Sequence, residues 1–497
     1  MAVPKVVGIE TEYGITVKGA QDWNPVTASS VLINAYAASL QEQNGRINWD
    51  FADESPGIDA RHDGVVRNQS APVVESHLVN TVLTNGARFY VDHAHPEYSS
   101  PECRDALSVV LYDAAGDKVL VDAMAAADRS APDQSETVIY KDNSDRKGNA
   151  YGCHENYLID RAFPFGRLTQ VATIHFITRQ LFTGSGKVGS ELPNGDPVDY
   201  QLTQRADHFE NEVGLETTLK RPIVNTRDEP HADAEKYRRF HVIVGDANMC
   251  QIATFLKVGT SALVFAMAED GVFDPDWSVV DPVRALQSVS RDLSLAKPLQ
   301  LDNHKSATAL EIQWELLAQA QKWAQTHDVS SVGEKCVELT MQHWEEVLGF
   351  LESDREKLVG KLDWVTKQYL LDGYSNRHDV EPGDPRLSAL DLQYHDIRPG
   401  KSLAYKAGLE TLFGPEEIDR AVTEAPVDTR AYFRGQVVSK FGESIVAANW
   451  DSVVLDTGSN SLQRVPMAEP TRGTKELIGE MLDACETPED LIARLGA

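Results

Sequence analysis

Glu10-x-Glu12 sets two carboxylates at i and i+2, and in an extended segment both project from one face. Like charges this close repel unless a proton or cation lies between them. Mg²⁺ is held in this way, by a few carboxylates with phosphate oxygens and waters filling the octahedron. The same spacing also describes an outer strand that turns its charges to water. Arg88, Tyr90 and Asp92 repeat the geometry in ARFYVD, with Phe89 and Val91 on the opposite side. Arg suits phosphate, and Asp suits metal binding, water activation or nucleophilic attack. His154 with Asn156, and Arg239 with His241, form two further same-face pairs. The run His93 to Glu102 adds two His and two Glu with turn chemistry, although a loop histidine serves equally as a plain hydrogen-bonding group. Lys236, Arg238 and Arg239 follow the polar loop NTRDEPHAD and are expected to form a local basic groove for phosphate or an acidic peptide, with a plain salt-bridge network as the alternative. GSGK at 184–187 is not a phosphate loop, because Leu181 and Val188 stand where the motif needs Gly and Ser or Thr. Jointly, the acidic pair, the Arg-Tyr-Asp face and the two histidines are expected to converge on one side of a sheet as a Mg-nucleotide site.

Such a site needs strands to carry it. Residues 4–17 read as one strand, with others at 87–92, 117–123, 136–141, 156–160 and 238–245. Helices are expected at 27–40, 104–112, 169–182 and 249–269. Residues 307–372 are strongly helical, with Val337, Met341, Trp344, Val347, Leu348 and Leu351 as a core stripe. Residues 41–79 break the pattern with Asn-Gly, Pro-Gly and Asp-Gly turns and read as a long loop, a length found in functional or disordered segments. Residues 380–403 look like a connector. A smaller unit follows at 424–497, with strands near 434–439 and 452–456 and a terminal helix. The mixture predicts an α+β fold, a mostly antiparallel sheet backed by helices, in two domains, 1–423 and 424–497.

The chain has 497 residues, 42% hydrophobic and 25% charged, with a formal net charge of −29. Such a surface repels nucleic-acid phosphate, so no nucleic-acid partner is expected. Five scattered cysteines without a C-x-x-C pair argue against a disulfide framework or structural zinc and fit a reducing, cytoplasmic compartment. No leader peptide is expected from MAVPKVVGIETEYGI, and no stretch approaches about 18 apolar residues, so no membrane association is expected.

Long motifs then point to a family. GIETEYGI, NGARFYVDHAHPEYSSPE, YGCHENY, TRQL, NTRDEPHADAEKYRR and HVIVGDANM, extended by YHDI and TRAYFRG, resemble the Pup ligase/Pup deamidase family across nearly the whole chain. That family is similar to carboxylate-amine ligases of glutamine synthetase type. The resemblance implies a large domain with a curved antiparallel sheet and a small C-terminal domain. It implies Mg²⁺ held by Glu10, Tyr90 and Glu97, with His154 and His241 as further ligands. It implies nucleotide contacts from Arg88, Ser100 and Trp450, with Ser100 standing where the ligases often carry Thr, and phosphate-side arginines at Arg227 and Arg434. Asp92 matches the essential aspartate. Ligase members join the C-terminal glutamate of the modifier Pup to a lysine at the expense of ATP. Deamidase members convert the C-terminal glutamine of Pup to glutamate and cleave Pup from lysines, with ATP, or ADP plus phosphate, as a cofactor. The insert at 41–79, with WDFADESPGIDAR at its centre, is similar to that of the deamidase branch. The resemblance therefore implies a Pup deamidase and depupylase, with ligation as the alternative. The implied partners are Pup and pupylated proteins, with a functional link to the bacterial proteasome and its ATPase.

Overall fold

Alternating side chains decide which way the first strand faces. In β1 (Val7–Glu12), Val7, Ile9 and Thr11 are buried against helices, and Glu10 and Glu12 point to the opposite side. The chain continues through β2 (Gly14–Lys18), α1 (Pro25–Asn44), β3 (Asn48–Trp49), β4 (Asn80–Val82), β5 (Arg88–Asp92), β6 (His95–Ser99), α2 (Ala106–Ser130), β7 (Glu136–Tyr140), β8 (Cys153–Asp160) and α3 (Phe165–Thr178). This computed structural model describes residues 1–20, 22–44, 47–51, 54–61, 79–131, 135–192, 197–273, 277–302, 304–459 and 461–496.

Six strands form the main sheet in the order Tyr237–Val242, β8, β1, β6, β5, β4, and every neighbouring pair is antiparallel. The α+β expectation holds. Behind the sheet, Val7, Ile9, Tyr157, Phe240 and Val242 join one core with α3 and the helix Gln251–Glu269. Phe89, Val91 and Tyr98 join a second with α1 and α2. Asp105 caps α2 by accepting from Ser108 N at 2.8 Å. Gly116 in that helix is required by close approach, because a Cβ there would collide with the Tyr98 ring. A third core, containing Ile47, Trp49 and Val82, belongs with the C-terminal segment and includes Phe433, Val437, Val453 and Leu455. There, β3 pairs in parallel with Ile445–Ala448, adding a fourth strand to the C-terminal sheet.

Five expectations change. The single strand over 4–17 breaks at Tyr13, whose buried hydroxyl donates to Asp117 at 2.8 Å, and β2 leaves to pair with β7. The expected strand 117–123 lies inside α2, where a run of buried Ala and Val on one helical face outweighs the local β-branched pattern. The expected strand 434–439 is part of the helix Ala431–Phe441, buried at Phe433, Arg434, Val437 and Val438. The connector 380–403 contains the helix Pro385–Tyr394, started by an Asp384 cap and a proline in its first turn. Finally, the helix Gln251–Glu269 is long and apolar enough to cross a membrane, with mean hydropathy 1.4, but 94% of that window is buried inside the protein. It is a core helix.

Candidate active site

Strand register brings the polar residues together. Glu10 faces His154 on β8 and Ser99 on β6; Glu12 faces Glu97; Tyr90 also faces Glu97; Asp92 faces His95; His241 faces Asn156. Because the period is two, these side chains share the sheet face opposite the helical cores. They fall into two groups with ligand atoms within 4.8 Å of one another: Glu10, His154 and His241 in the first, and Glu12, Asp92 and Glu97 in the second.

In the first group, Glu10 Oε2 lies 3.4 Å from His154 Nδ1, and Glu10 Oε1 accepts from Asn156 Nδ2 at 2.8 Å. Asn156 Oδ1 is 2.9 Å from His241 Nδ1 and accepts from Arg239 Nη1 at 2.7 Å. The two imidazole rings meet edge to face, 5.0 Å apart. Gly152 is needed here, since a Cβ would run into the His154 ring. In the second group, Glu12 Oε1 accepts from Gly152 N at 2.8 Å, and its Oε2 is 3.3 Å from His95 Nδ1. Tyr90 donates a short hydrogen bond to Glu97. Asp92 ends β5 at a two-residue turn, with His93 in the left-handed region at φ 52°. Its carboxylate is 36% exposed and 2.9 Å from His93 Nδ1.

Electrostatics separates the members. Burial, then Asp92, Glu12 and Glu10, push the Glu97 carboxyl well above the usual range. Burial opposes charge on Glu10 too, but His154, His241 and Arg239 prevail and hold it well below. Burial likewise resists ionisation of Glu12, yet the hydrogen bond and charge of His95 leave it lowered. Burial and then Arg239 drive His241 well down, leaving a neutral imidazole of the kind that ligates metals. Burial and Glu97 drive Tyr90 well up, and the protonated phenol serves Glu97 as a hydrogen-bond donor. Among the described residues, lysine and arginine ion pairs reach these four carboxylates only at Glu10, from Arg239 at 3.9 Å. Such a donor set with so little basic compensation fits a divalent cation.

A cleft beside the first group runs under the C-terminal segment, lined by Val7, Ser100, Pro230, His231 and Trp450 among others. Trp450 packs edge to face on Trp49, ring centroids 5.1 Å apart. Arg88 lies over the rings of Trp49 and Tyr90, at 4.1 and 3.8 Å, and its Nε donates to Asn80 at 2.8 Å. Ser100 lines the cleft, but its hydroxyl already accepts from Ile9 N at 3.0 Å and donates to Pro101 O at 3.1 Å. Arg227 has a buried Nε without a partner, beside Arg239 and His241, as a phosphate-seeking arginine would. Arg434 does not fit its expected role. It is fully buried, donates to Gly86 O at 3.0 and 2.8 Å and to Trp450 O at 3.0 Å, and pairs with Glu102. It fastens the Trp450 segment and has no face left for phosphate.

The expected basic groove of Lys236, Arg238 and Arg239 does not form. Strand alternation sends neighbours to opposite faces, and each is already engaged. Lys236 pairs with Asp233 and Glu469, Arg238 sits 3.6 Å from Asp228, and Arg239 belongs to the Glu10 group. The described part of the insert is built in rather than free. Asp228 N donates to Ile58 O at 2.9 Å, Ala60 N to Thr226 O at 2.8 Å, and Glu54 accepts from Trp49 Nε1 at 2.6 Å while lying 3.9 Å from Arg88. Residues 62–78 of the insert lie outside the described residues. In the sequence, Glu12 stands beside Glu10 and His95 lies in the turn run, but the ligand set implied by the resemblance omits both, and Trp49 was not singled out. Glu12 carried a usable signal, the same i, i+2 spacing that picked out Glu10. His95 and Trp49 depend on long-range register.

The family model described as Pup-ligase protein matches residues 5–454. The chain is 46% identical over 500 residues to the "Depupylase" of Acidothermus cellulolyticus and 43% identical over 500 residues to the "Pup deamidase/depupylase" of Mycolicibacterium smegmatis, each match covering 99% of both chains. It is 41% identical to the "Pup--protein ligase" of M. smegmatis, over 81% of this chain and 90% of that one. The solved complex of Pup with its ligase PafA superposes with a TM-score of 0.80 at 28% identity, covering 99% of this chain and 95% of the other. PafA in complex with ADP gives 0.74 at 33% identity, covering 81% and 89%.

Proposed function

We propose that this chain, which belongs to the Pup-ligase protein family, is a Pup deamidase and depupylase. It hydrolyses the C-terminal glutamine carboxamide of Pup to glutamate and cleaves the isopeptide bond between Pup and lysine. The observation that carries this reading is the sequence match to the depupylase relatives, 46% and 43% identical over 99% of this chain, against 41% over 81% of this chain for the ligase. A two-domain division, 1–423 and 424–497, is part of the reading, with residues 47–49 lent to the smaller unit's core. So are a cytoplasmic setting, supported by five buried free cysteines, and substrates delivered along the proteasome route.

Nucleotide and Mg²⁺ suit the residues present. Glu10, His154 and His241 would hold one cation, and Glu12 and Glu97 would hold charge at the second position, with Tyr90 donating to Glu97. The nucleotide base would enter the cleft under Trp450, with Arg88 and Arg227 toward the phosphates. When bound, the cation offsets negative charge and polarises the amide carbonyl. Asp92 stands at the exposed edge of the carboxylate group, where an incoming side-chain amide meets it first. It acts on the amide carbon, either by direct attack to give an anhydride or by taking a proton from water. In both cases the C–N bond breaks and the nitrogen leaves as ammonia or as the lysine amine. When Asp92 acts as base, water supplies the new product oxygen. When Asp92 attacks, its own oxygen stays on the product, and water, adding to the Asp92 carbonyl of the anhydride, restores the aspartate. Arg239 orients Asn156, and through it Glu10 and His241.

The test is a turnover assay with Mg-ATP. Release of ammonia from Pup ending in glutamine, without matching ADP production, is the expected result. Stoichiometric ADP release on joining Pup ending in glutamate to a lysine would give the ligase reading instead. Single-turnover hydrolysis in H₂¹⁸O separates the two roles of Asp92, because direct attack leaves label in the Asp92 carboxylate.

A further inference from the structure

Asp92 also lines a second, larger cavity, about 1080 Å³, shared with Glu12, His154, Arg205 and Arg221. The two arginines bring positive charge to this cavity in a chain of net charge −29. Arg179, Arg291 and Arg434 are buried or half-buried, and each has a carboxylate partner. Among the described residues, Arg205 and Arg221 have none at ion-pair distance. Backbone carbonyls orient them without neutralising them. Arg205 is 1% exposed and donates from Nη1 to Ile243 O, while its buried Nε has no partner. Arg221 donates to Thr217 O at 2.9 Å and to Ala150 O at 2.7 Å. Burial, and then the nearby positive charge of Arg221, lower Arg205 to about 10. Glu12 is the carboxylate whose charge favours both of them, and it is also one of the group within 4.8 Å of Asp92. Two anchored, mutually repelling guanidinium groups beside the reacting end form a site built for one more anion.

We infer that Arg205 and Arg221 bind the free α-carboxylate of the terminal residue whose side-chain amide is hydrolysed, an inference that rests on the deamidase reading. The chemistry of the substrate supplies the reason. A C-terminal glutamine carries an α-carboxylate a few bonds from its carboxamide. An isopeptide made through the side-chain carbonyl leaves that α-carboxylate free as well. One anion site therefore serves both reactions and rejects glutamine within a chain, whose α-carbonyl is an amide. Arg205 and Arg221 are positioning residues for the carbonyl that faces Asp92.

The experiment uses the full chain with Mg-ATP and two forms of Pup ending in glutamine, one with a free α-carboxylate and one with an α-carboxamide. The unaltered protein should hydrolyse the free acid with kcat/KM roughly a hundredfold above the amidated form. Arg221→Gln should lower the free-acid rate, chiefly through KM, and bring the ratio of the two substrates close to one. Arg221→Lys should restore part of the preference, since it returns a charge without the planar fork. Equal rates on both substrates by the unaltered protein, or a preference undiminished in Arg221→Gln, would overturn this inference alone. Hydrolysis of neither substrate would overturn the deamidase reading and this inference with it. The substrate comparison needs no variant to fold.

Discussion

Glu97 and Glu102 sit in one short stretch of chain, yet their surroundings oppose each other. Glu97 is sealed among Asp92, Glu12 and Glu10, and burial with those like charges pushes its carboxyl well up. Glu102 is also buried, but Arg434 and Arg430 overcome the burial and hold it at about 2. The same contrast divides the two faces of the sheet. On the helical side, Glu155 has Arg179 at 2.6 and 2.8 Å and the Tyr157 hydroxyl at 2.7 Å. On the open side, no arginine or lysine among the described residues pairs with Glu12, Asp92 or Glu97. A carboxylate satisfied by the protein's own cations is structural. One left with its charge uncompensated awaits something from outside.

The largest effect should come where charge is least compensated. Asp92→Asn should cut turnover by about 10³-fold or more while ADP still binds, as measured by single-turnover hydrolysis and nucleotide titration. Near-normal turnover would break the contrast at its functional end. At the other end, Glu102→Gln should destabilise the fold by about 3–5 kcal/mol, because it strands two buried guanidinium groups, and a denaturant midpoint reads this directly. The pH dependence has a definite sign. The folded carboxyl is at about 2 against an ordinary 4.5, so its stabilisation is complete above about 4.5 and drains away as pH falls toward 2. That amounts to about 3 kcal/mol, and Glu102→Gln should flatten this part of the stability-pH curve. Glu10→Gln should weaken the Mg²⁺ requirement curve about 10–100-fold with little change in the denaturant midpoint. Lys236→Ala should change neither Pup affinity nor the midpoint, since the side chain is 57% exposed in a screened surface pair. A salt-sensitive loss of Pup binding in that variant would restore the basic groove that the strand geometry removes.

The sequence carried the local half of this picture. Period-two patterning in β1, β5 and β8 put Glu10, Tyr90, Asp92 and His154 on one face, and the glutamate spacing anticipated the carboxylate cluster there. The rest depends on contacts distant along the chain. Nothing near Arg434 announces that its partners are Gly86, Glu102 and Trp450, so an arginine in a conserved-looking motif read as a phosphate ligand. Lys236, Arg238 and Arg239 read as a cluster because adjacency in sequence was counted ahead of strand alternation. The helix at Ala431–Phe441 was mistaken for a strand because Val437 and Val438 carry a local β preference, which burial on a helical face overrides.

β3 is two residues long, and its partner Ala447–Ala448 is made much later along the chain. Until then Asn48 and Trp49 have no sheet to join, and Trp49 has no Trp450 to pack against. A chain stopped short of that partner would leave the cover of the Trp450 cleft unmade.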